Sequence, residues 1–116
     1  MLMAINSKKK GARAERAWAK ICQEHGYDVR RAQQYCGLTG YAADCVGLDG
    51  IHIECKNVQR LNIHEAMTQA IRDSTAAGKG ELPIVAHKKN GTGWLVTMTC
   101  EDWFKLYSAW KPPSRT

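Results

Sequence analysis

Apolar and polar positions follow two different periods along this chain. Over residues 8–24, Trp18 and Ile21 stand at helical spacing, and Ala12, Ala19 and Cys22 widen the stripe. That predicts a first helix, capped by Ser7 and ended at Gly26. Residues 27–32 read as a strand, and residues 33–42, with two glycines among turn-prone residues, as a loop. Residues 43–48 and 51–57 read as strands joined at Asp49-Gly50, a strong hairpin signal. Asn62 with Glu65 starts a helix over residues 63–76, ended by Gly78, with Ile63, Met67, Ala70, Ile71 and Ser74 inward. Strands at 82–88 and 94–97 flank the turn Asn90-Gly91-Thr92-Gly93. Thr99, with Asp102 three residues on, caps a last helix carrying Trp103, Phe104, Leu106 and Tyr107. The order α-β-β-β-α-β-β-α predicts an α/β (mixed α+β) single domain, a central mixed sheet of about five strands flanked by helices. The Pro-rich tail 111–116 is expected to fray.

Composition narrows the function class. With 116 residues, 44% hydrophobic and 24% charged, the chain forms one globular core, not a disordered segment. No apolar run approaches the roughly 20 residues of a membrane span. Residues 1–10 carry no apolar stretch of signal-peptide length, so a cytoplasmic protein is expected. Seventeen Lys and Arg against 11 acids give a net charge of +6, which points to a polyanionic partner, nucleic acid first. Lys8, Lys9, Lys10, Arg13, Arg16 and Lys20 concentrate that charge on the first helix. Five cysteines without a CxxC pair argue against a disulfide framework and a zinc ribbon.

The candidate chemistry sits on residues 51–57. Ile51, Ile53 and Cys55 face one way, and His52, Glu54 and Lys56 the other. Hairpin register decides whether Asp44 meets Glu54. A two-residue loop pairs Asp44 with Cys55 and puts the acids on opposite faces. A three-residue loop, Leu48-Asp49-Gly50, pairs Asp44 with Glu54 and needs a left-handed residue at its end, which Gly50 supplies. The three-residue loop, or an equivalent bulge, is expected, because only it makes a site. Two carboxylates and the Cys55 carbonyl then offer hard oxygens suited to Mg²⁺, with Mn²⁺ as substitute. Lys56 is placed to balance charge on a phosphorane-like transition state. Glu15, a carboxylate on or beside the apolar stripe of the first helix, is a candidate outer ligand or water holder.

Asp44…Glu54-Cys55-Lys56 resembles the core motif of the PD-(D/E)XK nuclease superfamily. The opening Lys9-Lys10-Gly11-Ala12-Arg13-Ala14-Glu15-Arg16, then Gly26-Tyr27-Asp28-Val29-Arg30-Arg31, is similar to archaeal-type Holliday junction resolvases and their phage relatives. The resemblance covers roughly residues 7 to 98. It implies a restriction-endonuclease-like fold and a Mg²⁺-dependent, structure-selective DNA endonuclease working as a homodimer. It implies Glu15, Asp44, Glu54 and Lys56 as the catalytic set. Lys8, Lys9, Lys10, Arg13, Arg30 and Arg31 are the expected DNA contacts, and Gln69 matches a glutamine found near the site in related nucleases. Two departures stand out. Ala43 replaces the motif's proline, and residues 33–41 hold no serine, with Thr39 the only aliphatic hydroxyl. The second departure keeps open a duplex nickase or restriction-like nuclease on the same fold. A non-catalytic DNA-binding module is the rival of a different class. His25, His52, His64 and His87 show no metal spacing, although His52 shares the face of Glu54. Trp94, Trp103 and Trp110 fit core or dimer packing better than base stacking.

Overall fold

The computed structural model describes residues 2–32 and 43–114, with side chains from residue 11 onward. The element order is α1 (Leu2–Glu24), β1 (Arg30–Arg31), β2 (Cys45–Val46), β3 (Ile51–Asn57), α2 (Ile63–Ala77), β4 (Leu82–Lys88), β5 (Leu95–Thr97) and α3 (Cys100–Trp110). The expected order and mixed sheet are both present, and β3 and β4 have the expected bounds. The five strands lie in sequence order. β3 and β4 run parallel, with α2 as the crossover, and the other neighbours are antiparallel.

Three elements, α1, β1 and β2, differ from expectation by more than one residue. α1 begins at Leu2, so Ser7 lies inside the helix and does not cap it. β1 and β2 shrink to two residues each. β2 is cut at both ends: Asp44 bends the chain, giving its N–H to Ile53 (2.8 Å) and its carbonyl to Ala32 (3.0 Å), on opposite neighbours. Gly47 closes the other end at φ 125°, where a Cβ would lie 2.3 Å from the Asp28 carbonyl oxygen. The loop 33–42, Thr39 included, lies outside the described residues.

One face of the sheet packs on α1. Trp18, Ala19 and Cys22 meet Val29, Cys45, Ile53, Cys55, Ile84 and Ala86 there, and Trp94 stacks obliquely on Trp18 at 5.5 Å. The thiols of Cys45 and Cys55 lie 3.8 Å apart, hydrogen-bonded and not joined as a disulfide. α2 covers the other face through Ala66 and Ala70, which touch Val85. Small residues let this helix sit close to the strands. Ile71, expected inward, is exposed, and Asp73 is buried in its stead. Asn62 Oδ1 accepts from the Glu65 N–H (3.1 Å), the expected cap, and Gly78 ends the helix at φ 68°.

α3 has the expected start, with Thr99 accepting from the Asp102 N–H at 3.1 Å. Its apolar side is not core. Trp103, Phe104, Leu106, Tyr107 and Trp110 are all exposed, and Asp102 is its one buried residue. Among the described residues, no helix is long and apolar enough to cross a membrane.

Candidate active site

The site grows out of the β2–β3 hairpin. The Ile51 N–H closes a turn on the Leu48 carbonyl (3.0 Å), with Gly50 left-handed at φ 82°. Cys45 then pairs with Ile53, which sets Asp44 opposite Glu54. This is the register of the three-residue loop, and it flips no side chain off the shared face.

Asp44 is anchored to β3 by its side chain. Its Oδ2 accepts from the Cys55 N–H at 2.8 Å, at the place where β2 has bent away. The Cys55 N–H and C=O share an edge of the strand, so the carbonyl also points into that gap. Burial and the nearby Glu54 carboxylate push the Asp44 carboxyl up to about 7. Glu15 adds to the rise, while the Cys55 N–H and the Lys56 ammonium oppose it. The other three expected catalytic residues, Glu15, Glu54 and Lys56, therefore all lie within electrostatic reach of Asp44.

Glu54 is 4% exposed and His52, two residues earlier on the same face, 1%. His52 Nε2 donates to Glu54 Oε2 at 3.0 Å. Glu15 enters from α1, where its carbonyl accepts from the Cys45 thiol at 3.5 Å. Its carboxylate takes the Arg31 Nε–H at 2.8 Å. Sequence reading put Arg31 against DNA and missed both pairings. The signal for His52 was present, because side chains two apart on a strand are neighbours. Nothing in the sequence joined Arg31 to Glu15.

The remaining expected residues spread outward. Arg13 and Arg30 are exposed, Arg30 standing 3.9 Å from Asp28. Lys8, Lys9 and Lys10 lie on α1, with side chains outside the described residues. Gln69 is half-buried and lines a shallow depression on α2 with Asn62, Glu65 and Arg72, and none of the four catalytic residues lines it. A groove of about 520 Å³ opens beyond the C-terminal ends of β3 and β4, between Leu61, Ile63, Lys88, Lys89 and Trp94. Lys88 Nζ lies 6.0 Å over the Trp94 ring there.

Among the described residues, no three His, Cys, Asp or Glu side chains form a ready cage for a metal ion. The donors present suit Mg²⁺ nonetheless, since that ion is usually held by one or two carboxylates, waters and substrate phosphates. Two facing acids, one of them raised to about 7 by burial and then by the other, are the arrangement that a divalent cation relieves.

No family model matches the chain, and no curated protein matches it. Among solved structures the chain is similar to Hjc of Archaeoglobus fulgidus, a Holliday junction resolvase from an archaeal hyperthermophile. Identity is 23%, the match covers 77% of this chain and 72% of that one, and the TM-score is 0.56. The likeness shows the fold: the mixed five-stranded sheet flanked by three helices is shared with an archaeal resolvase, as the Asp…Glu-x-Lys resemblance implied.

Proposed function

We propose that this chain is a Mg²⁺-dependent, structure-selective DNA endonuclease, a Holliday junction resolvase acting as a homodimer in a cytoplasm. The observation that carries the reading is the hairpin register that sets Asp44 opposite Glu54 on a resolvase-like fold. Asp44, Glu54 and the Cys55 carbonyl are the residues that hold the metal. When bound, Mg²⁺ supplies Lewis-acid polarisation of a phosphodiester oxygen.

The chain's own groups do the rest. The Lys56 ammonium stabilises charge that builds on the phosphate oxygens as the phosphodiester is attacked. Glu15 keeps one oxygen on Arg31 and has the other to orient the attacking water. The basic residues of α1, with Arg13 and Arg30, contact phosphates and make binding salt-dependent. Lys88 and Lys89, beside their groove, are a second phosphate contact.

The exposed face of α3 supports the homodimer. Trp103, Tyr107 and Trp110 run along it at i, i+4 and i+7, with Trp103 and Tyr107 stacked at 5.1 Å. Leu95 and Val96, on the edge strand leading into α3, are 64% and 52% exposed. Large aromatics bury 150–250 Å² each, so at 47%, 40% and 72% exposure Trp103, Tyr107 and Trp110 leave roughly 250–400 Å² open. That supplies up to about half of the roughly 800 Å² per partner of a standard interface. One chain holds one site, and symmetric cutting of a four-way junction needs two.

The test is cleavage of an end-labelled four-way junction beside a matched linear duplex, with Mg²⁺, with chelator, and with Glu54→Ala. Paired, metal-dependent nicks in the junction alone, lost in the variant, are expected. Equal cutting of both DNAs would favour the duplex nickase or restriction-like reading, which the serine-free segment 33–41 motivates. Tight binding with no cutting of either DNA would overturn the enzyme and leave a DNA-binding module.

A further inference from the structure

We infer that His52 is a positioning residue: by holding one oxygen of Glu54 it makes the site prefer Mg²⁺ and Mn²⁺ over Ca²⁺. The inference rests on the metal-site reading above. Its basis is a pattern shared by three carboxylates. Asp44 has Oδ2 tied to the Cys55 N–H at 2.8 Å. Glu15 has Oε1 tied to Arg31 Nε at 2.8 Å. Glu54 has Oε2 tied to His52 Nε2 at 3.0 Å. Each acid therefore keeps one oxygen engaged by this chain and one oxygen available.

The His52 tether differs from the other two. Asp44 is held by backbone, and Glu15 by a half-buried arginine. His52 is a side chain with 1% exposure, so its imidazole cannot swing into solvent and leave Glu54 free. A carboxylate with one oxygen held presents a single oxygen to a cation. Mg²⁺ demands near-octahedral single-oxygen contacts at about 2.1 Å, whereas Ca²⁺ takes six to eight oxygens and accepts both oxygens of one carboxylate. Fixing the donor's orientation from outside the ligand shell is how such partners tune metal sites. Satisfying a buried carboxylate would also explain the hydrogen bond, but that role makes no distinction between cations.

The test is calorimetric titration of the metal-free chain, without DNA, using MgCl₂, MnCl₂ and CaCl₂ in turn. The variants are His52→Gln, His52→Asn and Glu54→Gln, each checked by circular dichroism melting. The amide nitrogen of Gln reaches about as far as Nε2, and that of Asn only as far as Nδ1. His52→Asn is expected to bind Mg²⁺ and Mn²⁺ about 10–100-fold more weakly. Its Ca²⁺ affinity should fall less, so the Mn²⁺-to-Ca²⁺ ratio drops. His52→Gln should keep that ratio within a few-fold of the wild type. An unchanged ratio in both variants, or an equal fall for all three cations, overturns the inference. Wild-type metal binding by Glu54→Gln would instead overturn the metal site itself, a separate result. If His52→Asn does not fold, His52→Leu, which fills the space without a donor, takes its place: a lowered Mn²⁺-to-Ca²⁺ ratio supports the inference and an unchanged one overturns it.

Discussion

β3 and α3 break the burial rule in opposite directions. β3 hides His52 and Glu54 at 1% and 4% exposure, among strands whose neighbours include the fully buried Val85 and Ala86. α3 displays Trp110 at 72% and Phe104 at 55%, and buries only Asp102. A buried carboxylate is costly unless something compensates its charge, and an exposed aromatic row is costly unless something covers it. Both costs call for compensation: under the proposed function a divalent cation would meet the acids around β3, and a second copy of the chain would cover α3. The first cost is tolerated because Glu54 has a hydrogen-bond partner and Asp44 takes up a proton. The second is tolerated because the rings of α3 pack on one another, Trp103 edge-on to Phe104 at 4.9 Å.

The largest expected effect breaks the β3 side. Glu54→Gln keeps the shape and a partner for His52 but removes one charge from the facing acids. Single-turnover cleavage should fall about 10³-fold or more, equivalent to about 4 kcal/mol of barrier. The melting temperature should hold or rise. Retained cleavage would mean that Glu54 serves folding alone.

Next in size is pH dependence without metal. Asp44 titrates near 7 in the folded chain against 3.8 for the free side chain, chiefly through burial and then Glu54. Between those values the folded state holds a proton that the unfolded state has lost. Stability is thus fully present below about pH 4 and falls as pH climbs through 7, by a few kcal/mol. Melting with chelator at pH 5.5 and pH 8 should show the drop, and Mg²⁺ at pH 8 should reverse it. A metal-free chain that melts higher at pH 8 would contradict the raised Asp44.

The same two regions show what the sequence made legible. The β3 side was readable because strand alternation and one left-handed glycine determine geometry. Gly50 permits the loop, the loop sets the register, and the register sets Asp44 against Glu54. What failed there depended on distant neighbours. β2 is clipped by the Asp44 bend and by the approach of Gly47 to Asp28, and neither shows in a period-two pattern. The pairing of Arg31 with Glu15 joins elements sixteen residues apart. α1 runs back to Leu2 because Ser is tolerated inside a helix as well as favoured at its cap. α3 was legible as a helix but not as a surface. An apolar stripe says that one side avoids water, and not whether the same chain covers it.

The α3 side is broken by Trp103→Ser with Trp110→Ser. If two copies pair there, the rings are central anchors, and losing them should weaken association by 2 kcal/mol or more, about 30-fold in Kd. Sedimentation across a concentration series would read it. A wild-type chain that stays monomeric at high micromolar concentration would leave the face to another partner.

The smallest effect sharpens the contrast. α3 holds to the body mainly through its first turn, where Thr99 caps it and Asp102 is buried 3.4 Å from Lys105. Thr99→Ala should cost about 1 kcal/mol. In a chain where β3 and β4 are locked between two helices and α3 is not, that loss stays local. At concentrations low enough to keep the chain monomeric, amide exchange in Trp103–Trp110 should quicken about fivefold, while amides of Ile53 to Cys55 keep their protection. Equal acceleration in both regions would mean that α3 unfolds only with the whole domain, and its exposed rings would then be part of one cooperative structure and not a separable docking face.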